Sequence, residues 1–271
     1  MDVGQGDAAL ISTPTGRTIL VDAGPPESGG RLAHFLREHL SGPLDLAIGT
    51  HPHLDHVGGM SAALRAAGVR RYLDMAPSPA HQGRLLATLD KTVATSGALH
   101  EHIDETTAPI NLGDGTTVTI LSPLRPQLAA CTDATNCNSI ALLIRNGDQS
   151  ILMAADIEGV TENELLRRHR GALHSTVLKV GHHGSRSATT TAWLRTVKPV
   201  LAVISVGAGN RYHHPHPSAL HRLEDEGVRV VRTDTAGTIH VVLGAGVPSV
   251  STSRGPLTAA PGPPAATRTQ P

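Results

Sequence analysis

Three short apolar runs in this chain each hand over to side chains that bind metals. LDLAIGT leads into His51, ILMAA into Asp156, and VLKVG into His182 and His183. Apolar runs of this length read as buried strands. If they share a sheet, their ends can gather along one edge, so the fold must bring these strand ends together. The first end is the densest, because HPHLDH holds His51, His53, Asp55 and His56. Imidazole nitrogens and carboxylate oxygens suit zinc, manganese or iron. His51 and His53 are two apart, so in extended backbone both point to one side and can hold one metal. Asp55 and His56 follow where the chain turns into a helix, and can reach a second metal beside the first. Asp156 has two oxygens and can bridge the pair. A single histidine at a strand end is usually solvated or a cap, and a lone HxH is a weak signal. A cluster this dense, with Asp156 and His182–His183 on later strands, points to a metal centre.

The surrounding pattern is α/β. AALIST and RTILVDAG read as a hairpin across PTGR, and GGRLAHFLREHL as an amphipathic helix stopped near Gly42-Pro43. Helices VGGMSAALRAAG and HQGRLLATLDKTVATSG flank strand RYLDM. The middle turns to strands, TTVTILSP, NSIALLIRNG and QSILMAADI, with Asn146-Gly147-Asp148 as a hairpin turn. Helices TENELLRRH, TTTAWLRTV and PSALHRLEDEG then alternate with strands STVLKVG, VLAVISVG and VRVVRT, and TIHVVLG closes. Two β-sheets with helices outside fit this order. Residues 1–245 are expected to form one domain. Residues 246–271 are rich in Pro, Ala, Ser and Thr, with Arg254 and Arg268 their only charges, and are expected to be a disordered tail.

Composition narrows the function classes. Hydrophobic residues make up 39%, but with one Trp, two Tyr and one Phe the core must be built from Leu, Val, Ile and Ala. Phe35 and Trp193 fall in helices away from every motif, which leaves no evident platform for stacking bases. Lys plus Arg (23) balance Asp plus Glu (23), which argues against holding nucleic acid chiefly by electrostatics. No apolar run reaches the roughly 18 residues of a transmembrane helix, and no GxxxxGK[ST] loop is present. MDVGQGDAALIST lacks the basic segment of a signal peptide. As written the chain is expected to be cytoplasmic, or secreted or extracytoplasmic if further sequence precedes DVGQGD. Cys131 and Cys137, in the polar loop CTDATNC, are expected to be free thiols rather than a local disulfide.

THPHLDH resembles the HxHxDH signature of the metallo-β-lactamase superfamily. The ordered set DVGQGDA, LVDAG, THPHLDHVGG, AAD, LKVGHHGS, VISVG, NRYHHPHPSAL and RTDTAGTI is similar to the hydrolase domain of the ComEC competence-protein family. This resemblance runs from Asp2 to about Val242. It implies an αββα sandwich with two mixed sheets and helices outside. It also implies a hydrolase that uses two divalent ions, zinc or manganese, to present hydroxide to an electrophile. In that pattern His51 and His53 hold the first metal, Asp55 and His56 the second, Asp156 bridges, and His183 completes the second site. His182 faces the substrate as donor or general acid, and Asp22 orients a ligand histidine from behind. Asn136 and Asn138 stand where the superfamily commonly has a further histidine ligand. Asn138 is the one expected to point at the site, as a weaker ligand.

His214 and His216 match the family's HPHP, and one of them is expected to contact substrate or leaving group, while His213 reads as a surface residue. Lys179 interrupts an apolar strand, so its ammonium either escapes to the surface or steadies a phosphate near the metals. Asp7 and Gln5 read as loop structure. The remaining histidines, His81, His100 and His102 among them, match no motif and read as structural or solvated. The resemblance implies a phosphodiesterase or nuclease acting on a phosphodiester such as single-stranded DNA. Competing readings are a hydrolase of a small phosphoester, lactam, lactone or thioester, and an inactive metal-bound binding domain. The near-complete ligand set counts against the last.

Overall fold

The computed structural model describes residues 1–76 and 83–255. The first sheet runs in chain order: β1 (Ala9–Ser12), β2 (Thr18–Val21), β3 (Leu44–Gly49), β4 (Val69–Asp74) and β5 (Leu99–His102). The β1–β2 pair is the expected antiparallel hairpin, and the later pairs are parallel. Parallel neighbours need crossovers, supplied by α1 (Gly29–His39), the single turn α2 (Leu54–Val57), α3 (Met60–Ala67) and α4 (Arg84–Thr95). The second sheet holds β6 (Ile110–Asn111), β7 (Thr116–Ile120), β8 (Leu142–Asn146), β9 (Gln149–Met153), β10 (Val177–Lys179), β11 (Leu201–Ile204) and β12 (Arg229–Arg232), each beside its neighbour in sequence. It is antiparallel up to β9 and parallel from there on. The single turn α5 (Ala134–Cys137) precedes β8, and α6 (Gly159–His169), α7 (Thr191–Val197) and α8 (Pro217–Asp225) make the parallel crossovers.

Side-chain parity along the strands sets the layers. Ile19 and Val21 of β2 and Leu46 and Ile48 of β3 pack against Val118, Ile120, Leu142, Ile144 and Met153 of the second sheet. Leu20 and Ala47, one residue out of phase, face Leu32 and Leu36 of α1 and Met60, Ala63 and Leu64 of α3. On the other sheet Leu143, Leu152 and Leu178 pack on Leu165, Trp193, Leu194 and Leu223 from α6, α7 and α8. The result is the expected αββα sandwich. Strands covered on both faces must be apolar almost throughout, which is why they appear in the sequence as unbroken runs.

Two expectations need correction. Ser249–Thr252 fall in the stretch read as a disordered tail, yet they form β14, antiparallel to β13 (Ile239–Val242). Val241 and Val250 of this hairpin pack beside Val177, Leu201 and Val231 of the second sheet. That alternation is only a few residues long, and the surrounding Pro, Ser and Thr masked it. Cys131 and Cys137 are bonded to each other rather than free. The turn of α5 brings their Cα atoms to 6.3 Å, within the span a disulfide bridges. His81 and residues 256–271, the rest of the expected tail, lie outside the described residues. No described helix is long and apolar enough to cross a membrane.

Candidate metal centre

The polar residues gather where strands end. Beyond β3 come Thr50 and His51; His53 then caps α2, whose turn carries Asp55 and His56. Asp156 follows β9, its N–H donated to Ser139 Oγ at 3.2 Å. Beyond β10, His182 and His183 are both left-handed, at φ 46° and 53°, a conformation that costs about 1–2 kcal/mol per non-glycine residue. Packing holds them there: His182 N–H donates to Ala155 O at 2.9 Å and Ser185 N–H to His182 O at 2.8 Å. Gly184 follows at φ 80°, where a Cβ would sit 2.6 Å from Pro215 Cβ.

The ligand atoms converge on Asp156. His51 Nε2 lies 3.9 Å from Asp156 Oδ2 and 3.1 Å from His53 Nδ1. His56 Nε2 lies 3.3 Å from Asp156 Oδ1. His183 Nε2 lies 3.6 Å from Asp156 Oδ2 and 3.4 Å from Asp55 Oδ2. Behind the rings, Asp22 accepts from His56 Nδ1 at 2.8 Å, from Thr50 N–H at 2.9 Å and from Thr50 Oγ1 at 2.8 Å. His183 Nδ1 donates to Ser205 O at 3.0 Å, and His51 Nδ1 lies 3.1 Å from Thr50 Oγ1. An outward partner on Nδ1 leaves Nε2 facing inward, which is how ligating histidines are held. Four of the inward or neighbouring atoms, His56 Nε2, His183 Nε2, Asp156 Oδ1 and Asp7 Oδ1, are buried without any hydrogen-bond partner.

Charge is concentrated in the same place. Burial, with His56 adding to it, holds His51 well below the ordinary imidazole range. For His56 burial works downward, but Asp156 and Asp22 hold it well above that range. Burial is likewise outweighed at His183, which Asp156 and Asp7 lift to about 10. Asp156 is held well below the carboxylate range by His56 and His183 in spite of its burial. Burial is also overcome at Asp55, where the neighbouring His183 ring and the charge of His56 bring it to about 2. The carboxylates thus remain anionic and trap protons on neighbouring rings, protons that a divalent cation displaces on binding.

Several expectations change here. Asp7, read as loop structure, is buried beside the centre. Its Oδ1 lies 3.4 Å from His183 Nδ1, and Asp7, His56, Asp156 and His183 each offer a ligand atom within 4.8 Å of the others. A hint lay in Gly6: a Cβ there would meet the Asp55 carbonyl oxygen at 2.2 Å, so only glycine presses this loop onto HPHLDH. Lys179 neither snorkels nor reaches for a phosphate. It is buried, its ammonium 2.5 Å from Asp7 Oδ2 and 2.9 Å from Val180 O, because an interior ammonium needs a counter-charge. Asn138 does not point at the centre: its amide bridges Leu128 N–H and O and Ala134 O. Asn136 is the one with a buried, partnerless amide oxygen. His216 caps α8, with Nδ1 accepting from Ser218 N–H at 3.2 Å.

His182 and His214 stand at the mouth. His182 Nδ1 is held 3.0 Å from Glu158 Oε1, while its Nε2 is 3.8 Å from Asp156 Oδ2. The His214 ring meets His182 edge-on at 5.5 Å, and burial followed by His182 lowers His214 to about 4. Tyr212, 49% exposed, stacks on His214 at 5.8 Å, with the Arg211 guanidinium 4.9 Å above its ring. His213 is exposed, as read from the sequence.

A family model described as the metallo-beta-lactamase superfamily matches residues 1–208. ComE operon protein 3 of Bacillus subtilis (strain 168) is 31% identical over 264 residues, covering 88% of this chain and 32% of that protein. Competence protein ComA of Neisseria gonorrhoeae is 34% identical over 111 residues, 41% of this chain and 16% of that protein. The chain spans about a third or less of the length of these curated relatives. Among solved structures, the metallo-beta-lactamase fold protein YhfI from Bacillus subtilis aligns over 84% of this chain and 88% of its own, with a TM-score of 0.53 at 12% identity. At that identity the likeness is one of fold alone.

Proposed function

We propose that this chain, which belongs to the metallo-β-lactamase superfamily as a metal-dependent hydrolase, cleaves phosphodiesters at a centre holding two divalent ions. The observation that carries the reading is the set of four buried ligand atoms without partners on four separate segments. A buried polar atom left unmade costs about 1–3 kcal/mol, and atoms of His and Asp in one place are the donor set for a cation. His51 and His53 would hold one ion and Asp55, His56 and His183 the other, with Asp156 available to both. The amide oxygen of Asn136 is unspent, whereas that of Asn138 is taken by Leu128 N–H, so Asn136 is the one free to assist the first. When bound, two such ions lower the pKa of water and neutralise charge building on phosphoryl oxygens.

The chain's own residues do the rest. Glu158, kept ionised by its hydrogen bond from His182, orients that ring. His182 then offers Nε2 to a non-bridging or leaving oxygen as donor. Composition left no evident platform for stacking bases, but the exposed Tyr212, stacked on His214 beside the centre, can take a base and Arg211 a phosphate, which favours a nucleic-acid strand as substrate. The name of the Neisseria relative, a competence protein, supports the same choice.

Elemental analysis after loading with Mn²⁺ or Zn²⁺, together with turnover of bis-p-nitrophenyl phosphate, single-stranded DNA and nitrocefin, tests the proposal. Two ions per chain are expected, with both phosphodiesters cleaved faster than nitrocefin. Asp156→Ala is expected to lose hydrolysis by several orders of magnitude. A chain that takes up no metal, or that turns over nitrocefin fastest, would refute it.

A further inference from the structure

Away from this centre, and among the described residues, β5 forms the free edge of the first sheet and pairs only with β4. The parallel register sets Asp74 opposite His102 and Tyr72 opposite His100. Residues two apart on a strand share a face, so His100, His102 and Asp74 all project to the same side. The Asp74 carboxylate sits between the two rings: Oδ1 is 2.6 Å from His102 Nδ1, and both oxygens are 3.1 Å from His100 Nε2. The three ligand atoms lie within 4.8 Å of one another. The rings meet edge-on at 4.8 Å. With side chains 44%, 34% and 23% exposed for His102, His100 and Asp74, the group opens to solvent.

Among the described residues, the salt bridges of Asp74 are to these two histidines. Arg71, on the same strand but opposite in parity, is taken up by Glu101 at 2.7 Å. Asp74 and His51 line one cavity of about 80 Å³, so the group lies across a small space from the main centre without sharing a ligand with it. A plain Asp–His contact at a surface contributes only about 0–1 kcal/mol and needs one ring. Two imidazole nitrogens and a carboxylate on one open face make the two-histidine, one-carboxylate set that binds borderline divalent ions with water in the remaining positions.

We propose that Asp74, His100 and His102 form a separate mononuclear site for a divalent transition ion, zinc above all, which ties edge strand β5 to β4. An edge strand otherwise presents unpaired backbone groups, and a ligand set drawn from two neighbouring strands holds it in register. This site is independent of the activity proposed above.

The test uses the full chain with zinc as probe. His100→Gln/His102→Gln is expected to retain one zinc ion fewer per chain than wild type after loading and desalting, with hydrolysis of bis-p-nitrophenyl phosphate unchanged. In an Asp156→Ala background, which disables the main centre, zinc is expected to raise Tm, and adding the two histidine changes is expected to remove that rise. Asp74→Asn provides a second route to the same loss should the double variant fold poorly. Equal zinc content in wild type and both variants would overturn the site, as would an unchanged zinc-dependent Tm. Loss of hydrolysis in the double variant would overturn its independence.

Discussion

Asp22→Asn isolates the part of the centre that works from behind. The buried Asp22 carboxylate accepts Thr50 N–H on Oδ1 at 2.9 Å, and Thr50 Oγ1 and His56 Nδ1 on Oδ2, both at 2.8 Å. An asparagine has the same shape but one oxygen. If that oxygen stays with the Thr50 N–H, the NH₂ faces His56 Nδ1. Two N–H groups cannot face each other, so the imidazole is driven to the tautomer with its proton on Nε2, the atom 3.3 Å from Asp156. That nitrogen can no longer bind a metal. Loss of such a supporting partner typically lowers metal affinity about 10–100-fold, or about 1.4–2.8 kcal/mol at 1.4 per decade. If the amide turns the other way, the Thr50 N–H loses its acceptor in the interior, at about 1–3 kcal/mol of stability. Competition titration with Zn²⁺ reads the first outcome, and Tm of the metal-free variant reads the second. A variant matching wild type in both would refute the assigned role of Asp22.

Lys179→Met should leave Asp7 buried and unpaired, destabilising the metal-free protein by about 3–5 kcal/mol in urea unfolding. Adding Asp7→Asn should restore most of the loss, and a neutral Lys179→Met would dismiss the pair. Glu162 is lifted from 4.5 to about 7 by burial, despite N–H donors from Thr190 and Thr189. Its folded pKa exceeds the unfolded one, so its contribution is complete below pH 4.5 and is lost as pH rises through about 7. The loss is of the order of 3 kcal/mol. Glu162→Gln should flatten the urea midpoint across that window, and an unchanged slope would assign it to other groups. Tyr212→Ala should weaken single-stranded DNA binding by about 1–3 kcal/mol while sparing bis-p-nitrophenyl phosphate. An equal loss on both substrates would mean that the ring supports the centre rather than a base.

Much of the molecule follows from local pattern. The sandwich was legible because strands buried on both faces must be unbroken apolar runs, and HPHLDH because the type and spacing of ligand residues are properties of a few neighbours. Asp22 was legible only through the resemblance of LVDAG to the family pattern, because an aspartate after Ile19, Leu20 and Val21 fits a strand-ending turn equally well. What the tertiary structure alone decided is which atom meets which partner over long distances in the chain. Asp7 meets Lys179 across 172 positions, so neither a loop aspartate nor a lysine in a strand could be read correctly by itself. Asn136 and Asn138 differ by two positions, and the turn of α5 together with the Leu128 backbone chose which amide was spent. His216 was claimed by the first turn of α8. His100 and His102 matched no motif, because their partner Asp74 is brought beside them only by the register of β4 on β5. A sequence pattern specifies chemistry and the face a side chain takes. Partners are specified by the packing of remote segments, where an unpaired charge or donor is costly enough to select one arrangement over its neighbours.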